Sequence, residues 1–260
     1  MEKILIAAPI RQRQQVIDEY LDCIYKLDYP KNLICIYFLV NDSTDNTWEK
    51  VCEFRSKYLV EYSNIELEYI NLGSSKDDRT GIRKKEIYSV LSVLRNKILS
   101  YFLTTDCTHL FSIDSDIMVK PDALKVLLSD DKDIISTWIS NEFGGKRGNA
   151  LDFIEQTQKN GDTDGKNIIM SDKNGKPVKA LKHIDVSVPT CPDIFMCDIT
   201  GAVYLIKKSV IESGVRYGYY QAGEDVTFCE NAKARGYKLF CRKGLAEHRM
   251  YHMHVKKGSY

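Results

Sequence analysis

Apolar residues run unbroken from Ile4 to Ile10 apart from Pro9, the pattern of a strand buried on both faces and closed by a proline turn. Between Val16 and Leu27 they fall at 17, 20, 21, 24 and 27, the spacing of one helix face, and Tyr29-Pro30 stops that helix. A second apolar run, Ile34–Val40, predicts another buried strand. The polar stretch Asn41–Thr47 after it supplies N-cap candidates for a helix carrying Trp48, Val51 and Phe54. Ile65–Ile70 alternates as a half-exposed strand does. Strand, helix, strand, helix, strand at this spacing is the mark of an α/β layered sheet with mainly parallel strands.

Gly73–Arg83 is polar and predicts a loop, and Ile87, Val90, Leu91, Leu94, Ile98 and Phe102 then mark a long amphipathic helix. His109–Ile113 predicts the strand that follows. Pro121 is expected in the first turn of a further helix, and Ile134–Ile139 reads as a strand. From Asn141 to Lys182 the chain becomes rich in Gly, Asn, Asp and Lys, with a hairpin turn expected at Asn174-Gly175; it reads as a mobile insertion. Ala202–Ile206 resumes the core. Ser209 and Glu212 have capping-box spacing, with Gly214 closing that short helix. Gly223-Glu-Asp225 then opens a helix that runs to Arg235 and stops at Gly236.

Composition narrows the function classes. With 37 basic and 36 acidic residues in 260, no charge excess favours nucleic acid or an anionic membrane. The longest apolar stretch is too short to span a bilayer, and the N-terminus lacks a signal-peptide pattern. None of the eight cysteines has Cys-X-X-Cys spacing, so free buried thiols and a cytoplasmic location are expected.

The chemistry centres on Asp114-Ser-Asp116. In an extended strand residues i and i+2 share a face, so both carboxylates are expected to aim at one spot. Like charges that close need a cation, and hard oxygen ligands suit Mg²⁺ or Mn²⁺ held with phosphates. An isolated Asp-X-Asp is more often two solvated acids at a strand end. Ligands of α/β sheets, however, bind beyond the carboxyl ends of the strands, and the Pro9–Arg11 turn and Asp42 lie at such ends too. Glu224 and Asp225 sit where a helix dipole favours acids and keeps them ionised, as a general base must be. His248, His252 and His254 crowd the tail, and imidazole suits Mn²⁺ better than Mg²⁺.

These pieces, in this order, resemble the family-2-like glycosyltransferases with the nucleotide-sugar-binding GT-A fold. The matching motifs are Val40–Thr47, Leu94-Arg-Asn96, Ile113-Asp-Ser-Asp116, Gly201–Leu205, Gly223-Glu-Asp-Val226, and Gly236-Tyr-Lys with His248 beyond it. The resemblance leaves out roughly 141–190. It implies one Rossmann-like GT-A domain with a mixed, mainly parallel sheet flanked by helices. A nucleotide-donor half would occupy about 1–120 and an acceptor half about 121–260. It further implies a nucleotide-sugar donor, with a UDP-sugar favoured, and a glycan, lipid-linked or protein acceptor. Pro9, Arg11, Asp42, Arg95, Asp114 and Ser115 would serve the nucleotide. Asp114, Asp116 and His248 would hold Mn²⁺ or Mg²⁺. Asp225 would be the base of an inverting transfer, with Glu224 beside it. A retaining transferase, or an inactive scaffold that binds sugar nucleotides or glycans, are the alternatives. Two departures stand out. The usual acidic pair after the second strand is here Asn41-Asp42, and three tail histidines leave the third metal ligand open.

Overall fold

The computed structural model describes residues 1–73, 85–140, 148–154, 167–171, 177–187, 189–219 and 223–249. The chain begins β1 (Ile4–Ile10), α1 (Ile17–Tyr25), β2 (Ile34–Asn41), α2 (Thr47–Tyr58) and β3 (Asn64–Ile70). It continues with α3 (Lys85–Thr104), β4 (His109–Ile113), β5 (Ile117–Val119), α4 (Ala123–Ser129) and β6 (Ile134–Thr137). Three strands, β7 (Leu151–Ile154), β8 (Asn167–Ser171) and β9 (Pro177–His183), lie in the segment expected to be a mobile insertion. They form a small antiparallel sheet in the order β7-β9-β8. The turn expected at Asn174-Gly175 lies outside the described residues, as does most of the expected 73–83 loop. The chain closes with β10 (Ile194–Cys197), β11 (Val203–Lys207), α5 (Lys208–Glu212), α6 (Glu224–Ala234), β12 (Leu239–Arg242) and β13 (Ala246–His248).

Among the described residues the central sheet has eight strands in the order β10-β12-β6-β11-β4-β1-β2-β3. Strands β3, β2, β1 and β4 are parallel neighbours, and β11 runs antiparallel between β4 and β6. This is the mixed, mainly parallel sheet expected. All seven residues of β1 and all eight of β2 are buried, because helices cover both faces. One layer packs Tyr20 and Ile24 of α1, Val51 and Phe54 of α2, and Leu124 and Leu127 of α4 against alternate strand residues such as Ile6 and Ile36. The other packs Leu94, Ile98 and Phe102 of α3 and Phe228 and Ala232 of α6 against Leu5, Ala7 and Tyr37.

Local expectations give way in four places. Proline does not end β1: Pro9 pairs with Leu39 inside the strand, past the point where the ladder to β4 stops at Ala7 and Ser112. Pro121 precedes α4 rather than opening it, since Asp122 is the N-cap. No side chain caps α5, so the Ser209–Glu212 spacing forms no capping box. Finally, the aspartates are not on a strand. β4 ends at Ile113, and the Ile117 amide donates to the Asp114 carbonyl at 2.9 Å, closing a tight turn over 114–117.

Candidate active site

That turn decides where each carboxylate goes. Instead of sharing one face, Asp114 and Asp116 diverge toward different partners. Arg95 of α3 donates to Asp114 Oδ1 at 2.7 Å and, through Nε, to Glu224 Oε1 at 3.1 Å. Ser115, between the aspartates, is buried. Desolvation raises the Asp114 carboxyl above its ordinary range, and the Arg95 charge pulls it back. Arg95 itself is only 4% exposed, with its guanidinium 5.6 Å from the centre of the Tyr217 ring. Arg95, for which the resemblance implies a nucleotide role, forms a buried bridge from the Asp turn to α6.

Asp116 looks the other way. Its Oδ2 accepts from Arg13 Nη2 at 3.0 Å and lies 3.8 Å from His248 Nε2. His248 reaches it because β13 pairs antiparallel with β5, setting His248 opposite Ile117. The Arg249 amide donates to the Asp116 carbonyl at 2.9 Å, and the Arg249 side chain grips Glu19 of α1. His252 and His254 lie outside the described residues.

Among the described residues no group of three or more His, Cys, Asp and Glu is arranged to hold a metal ion. Of the expected triad of Asp114, Asp116 and His248, the last two face each other, and Asp114 is turned to Arg95. Those two still suit a divalent cation. Ligand bonds of about 2.0–2.2 Å let two ligand atoms lie roughly 3–4 Å apart. His248 Nδ1, the ring nitrogen turned away from Asp116, is buried with no hydrogen-bond partner among the described residues.

The loops after β1 and β2 are laced together. The Gln12 amide donates to Ser43 Oγ, the Arg13 amide to Thr47 Oγ1, and the Gln14 amide to Asp45 Oδ2. Asp42 adopts φ +45°, a left-handed conformation that Asp tolerates, and its Oδ1 accepts from the Leu72 and Gly73 amides at 2.9 and 3.0 Å. The polar run 41–47 thus shapes the loops around it, and Asp42 fixes the turn after β3. Arg11 sits at the end of β1, and its carbonyl accepts from Arg13 Nη1. The sequence reading singled out Arg11 and missed Arg13, whose only signal was its place two residues further along the same rim loop.

Gly223, at φ +124°, makes the turn into α6, a backbone conformation that glycine adopts readily. Glu224 is buried against Arg95, whereas Asp225 is half-buried beside Gly201. A Cβ at Gly201 would stand 2.3 Å from Asp225 Oδ2, so only glycine leaves room for that carboxylate. Buried Asn149, also missed from the sequence, donates to the carbonyls of Thr137 and Gly201 and accepts from the Ile139 amide. The Asp114 amide donates to the Ala202 carbonyl, so the 200–202 turn joins the two sides of the rim.

This sheet, with the Asp turn and the acidic helix start on one rim, has the GT-A fold. The profile of the Anp1 family matches residues 1–189, and the chain belongs to that family. A curated relative, the mannan polymerase II complex anp1 subunit of Schizosaccharomyces pombe, is 26% identical over 167 residues, which are 54% of this chain and 37% of the relative. The chain therefore spans little more than a third of that relative's length.

Solved structures agree on the fold. The mannosyltransferase PcManGT of Pyrobaculum calidifontis, in complex with GDP-Man and Mn²⁺, has a TM-score of 0.52 at 12% identity, covering 94% of this chain and 57% of its own. GalNAc-T7 with UDP, GalNAc and Mn²⁺ gives 0.57 at 12%, covering 95% and 44%. S. aureus TarS 1-349 in complex with UDP-GlcNAc gives 0.51 at 15%, covering 99% and 61%. All eight cysteines of the chain are free, and among the described residues no helix is long and apolar enough to cross a membrane.

Proposed function

We propose that the chain is a metal-dependent glycosyltransferase that moves a sugar from a nucleotide donor to an acceptor hydroxyl with inversion. The observation that carries this reading is the single rim holding Asp116 with His248 at one side and Asp225 at the other, tied by Arg95 between Asp114 and Glu224. Asp116 and His248 would hold Mn²⁺ in preference to Mg²⁺, given the imidazole. When bound, such a cation neutralises a diphosphate and stabilises the charge that develops on it as a leaving group. Asp225, half-buried in the first turn of α6, accepts the proton of the acceptor hydroxyl. Glu224 faces Arg95 and positions rather than reacts. GDP-mannose is favoured over the UDP-sugar expected from the sequence resemblance, because the curated relative is a mannan polymerase subunit and one structural neighbour binds GDP-Man. A mannan-type glycan is then the acceptor class.

The test is a panel of GDP-mannose and UDP-sugars with Mn²⁺, reading release of nucleoside diphosphate with and without a mannose oligosaccharide. Metal-dependent release from GDP-mannose, accelerated by the oligosaccharide, is the expected result. Binding without release from any donor would instead make the chain a scaffold.

A further inference from the structure

We propose that Arg13 and the divalent cation compete for the Asp116 carboxylate, and that the donor's diphosphate draws Arg13 away, so that cation binding depends on the nucleotide. The inference rests on the reading of Asp116 and His248 as cation ligands.

One oxygen carries both relationships. Asp116 Oδ2 accepts from Arg13 Nη2 at 3.0 Å and is the carboxylate atom 3.8 Å from His248 Nε2. A cation bridging that oxygen and the imidazole would meet the guanidinium on the same oxygen. The side chains of Arg13, Asp116 and His248 are 27%, 25% and 24% exposed, so water screens the two positive charges only in part. One must leave.

The loop cannot carry Arg13 away without breaking its ties. Hydrogen bonds from the Gln12, Arg13 and Gln14 amides to Ser43, Thr47 and Asp45 hold the backbone on both sides of the residue. Movement therefore falls to the side chain. A guanidinium fork matches phosphate oxygens better than any other cationic side chain. Arg13 Nε is also buried with no acceptor among the described residues, a cost that a phosphate oxygen would remove. Arg13 is thus a charge handed from carboxylate to diphosphate, a positioning residue for the donor and not a metal ligand.

Mn²⁺ affinity, read by electron paramagnetic resonance as the fraction of free ion, tests this without turnover. The titration is run with Mn²⁺ alone, then with GDP, UDP or guanosine, on wild type, Arg13→Gln, Arg13→Lys and Asp116→Asn. In wild type the matching diphosphate tightens Mn²⁺ binding by about 5–150-fold, the ordinary range of coupling between two ligands, and guanosine does not. Arg13→Gln binds Mn²⁺ alone more tightly than wild type and gains less from the diphosphate. Arg13→Lys keeps the competition, since the charge remains. Equal affinity of wild type and Arg13→Gln for Mn²⁺ alone, with Asp116→Asn binding none, would overturn the competition and spare the ligand assignment. Unchanged binding in Asp116→Asn would overturn the ligand assignment itself. Diphosphate binding that ignores Mn²⁺ but collapses in Arg13→Gln would mean that Arg13 replaces the cation, and the competition would fall.

Discussion

Arg95 and Glu224 form an ion pair almost wholly removed from water, Nε to Oε1 at 3.1 Å, with 4% and 3% of their side chains exposed. Breaking such a pair from one side leaves a buried charge without compensation, at a cost of about 3–5 kcal/mol. Arg95→Met should lower unfolding stability by that amount in urea titrations, because Glu224 loses its partner and Asp114 loses the charge that opposes its desolvation. A loss below about 1 kcal/mol would mean that the bridge carries little of the fold.

Asp116→Ala should abolish Mn²⁺-dependent binding of the nucleoside diphosphate and leave the unfolding transition nearly unmoved, since a rim carboxylate supports no core. Calorimetric titration with and without EDTA reads the first arm and urea unfolding the second. Affinity equal to that of the unaltered chain would remove Asp116 from the metal site.

Asp225→Asn preserves size but cannot take a proton at neutral pH. Turnover should drop about 10²–10⁴-fold with donor affinity unchanged, and the product's anomeric configuration, read by NMR, should be inverted in the parent enzyme. Near-full turnover in the variant, or retention in the product, would exclude Asp225 as the base of an inverting transfer.

Gly201→Ala drives a methyl group to 2.3 Å from Asp225 Oδ2 and 2.9 Å from its Cγ. The carboxylate must shift, and misplacement by about 1 Å costs on the order of 10²-fold in rate. Overpacking lowers stability by only about 1–3 kcal/mol, so the variant should fold and turn over slowly. A rate equal to wild type would show that Asp225 tolerates displacement.

At the opposite end of the sheet, burial lowers the pKa of His109, with Glu2 only partly offsetting it. The unfolded chain then binds the extra proton first, so stability rises with pH. The contribution is complete above the unfolded value near 6.5 and is lost as pH falls from there through the lower folded value. Comparing the pH dependence of unfolding for wild type and His109→Gln isolates this share. Parallel curves for the two proteins would mean that His109 titrates alike in both states.

The layered sheet was legible because β1 and β2 are buried on both faces and leave unbroken apolar runs, and because α1 and α3 repeat at helical spacing. Strands of three or four residues, such as β10, β12 and β13, leave too short a pattern to read. Asp114, Asp116, Asp225 and His248 were singled out by residue type and order, but their partnerships were not legible. A turn and an extended strand differ by one backbone hydrogen bond, from Ile117 to Asp114, and that bond sends the two carboxylates to different partners. For Arg95 only the resemblance offered a role, because nothing local tells an arginine that its counter-charges will arrive from the turn after β4 and from α6. Asn149 and Arg13 act through backbone carbonyls and a distant carboxylate, which no spacing rule records.

The pairing of β5 with β13 has a consequence for how the molecule comes together. Asp116 and His248 belong to opposite halves of the chain and meet only when a very long loop has closed, a step opposed by chain entropy. Whatever is gripped by both residues fastens β13 to β5. A cation there would act as a clasp as well as a reagent, and the site would be among the last parts to form and the first to open.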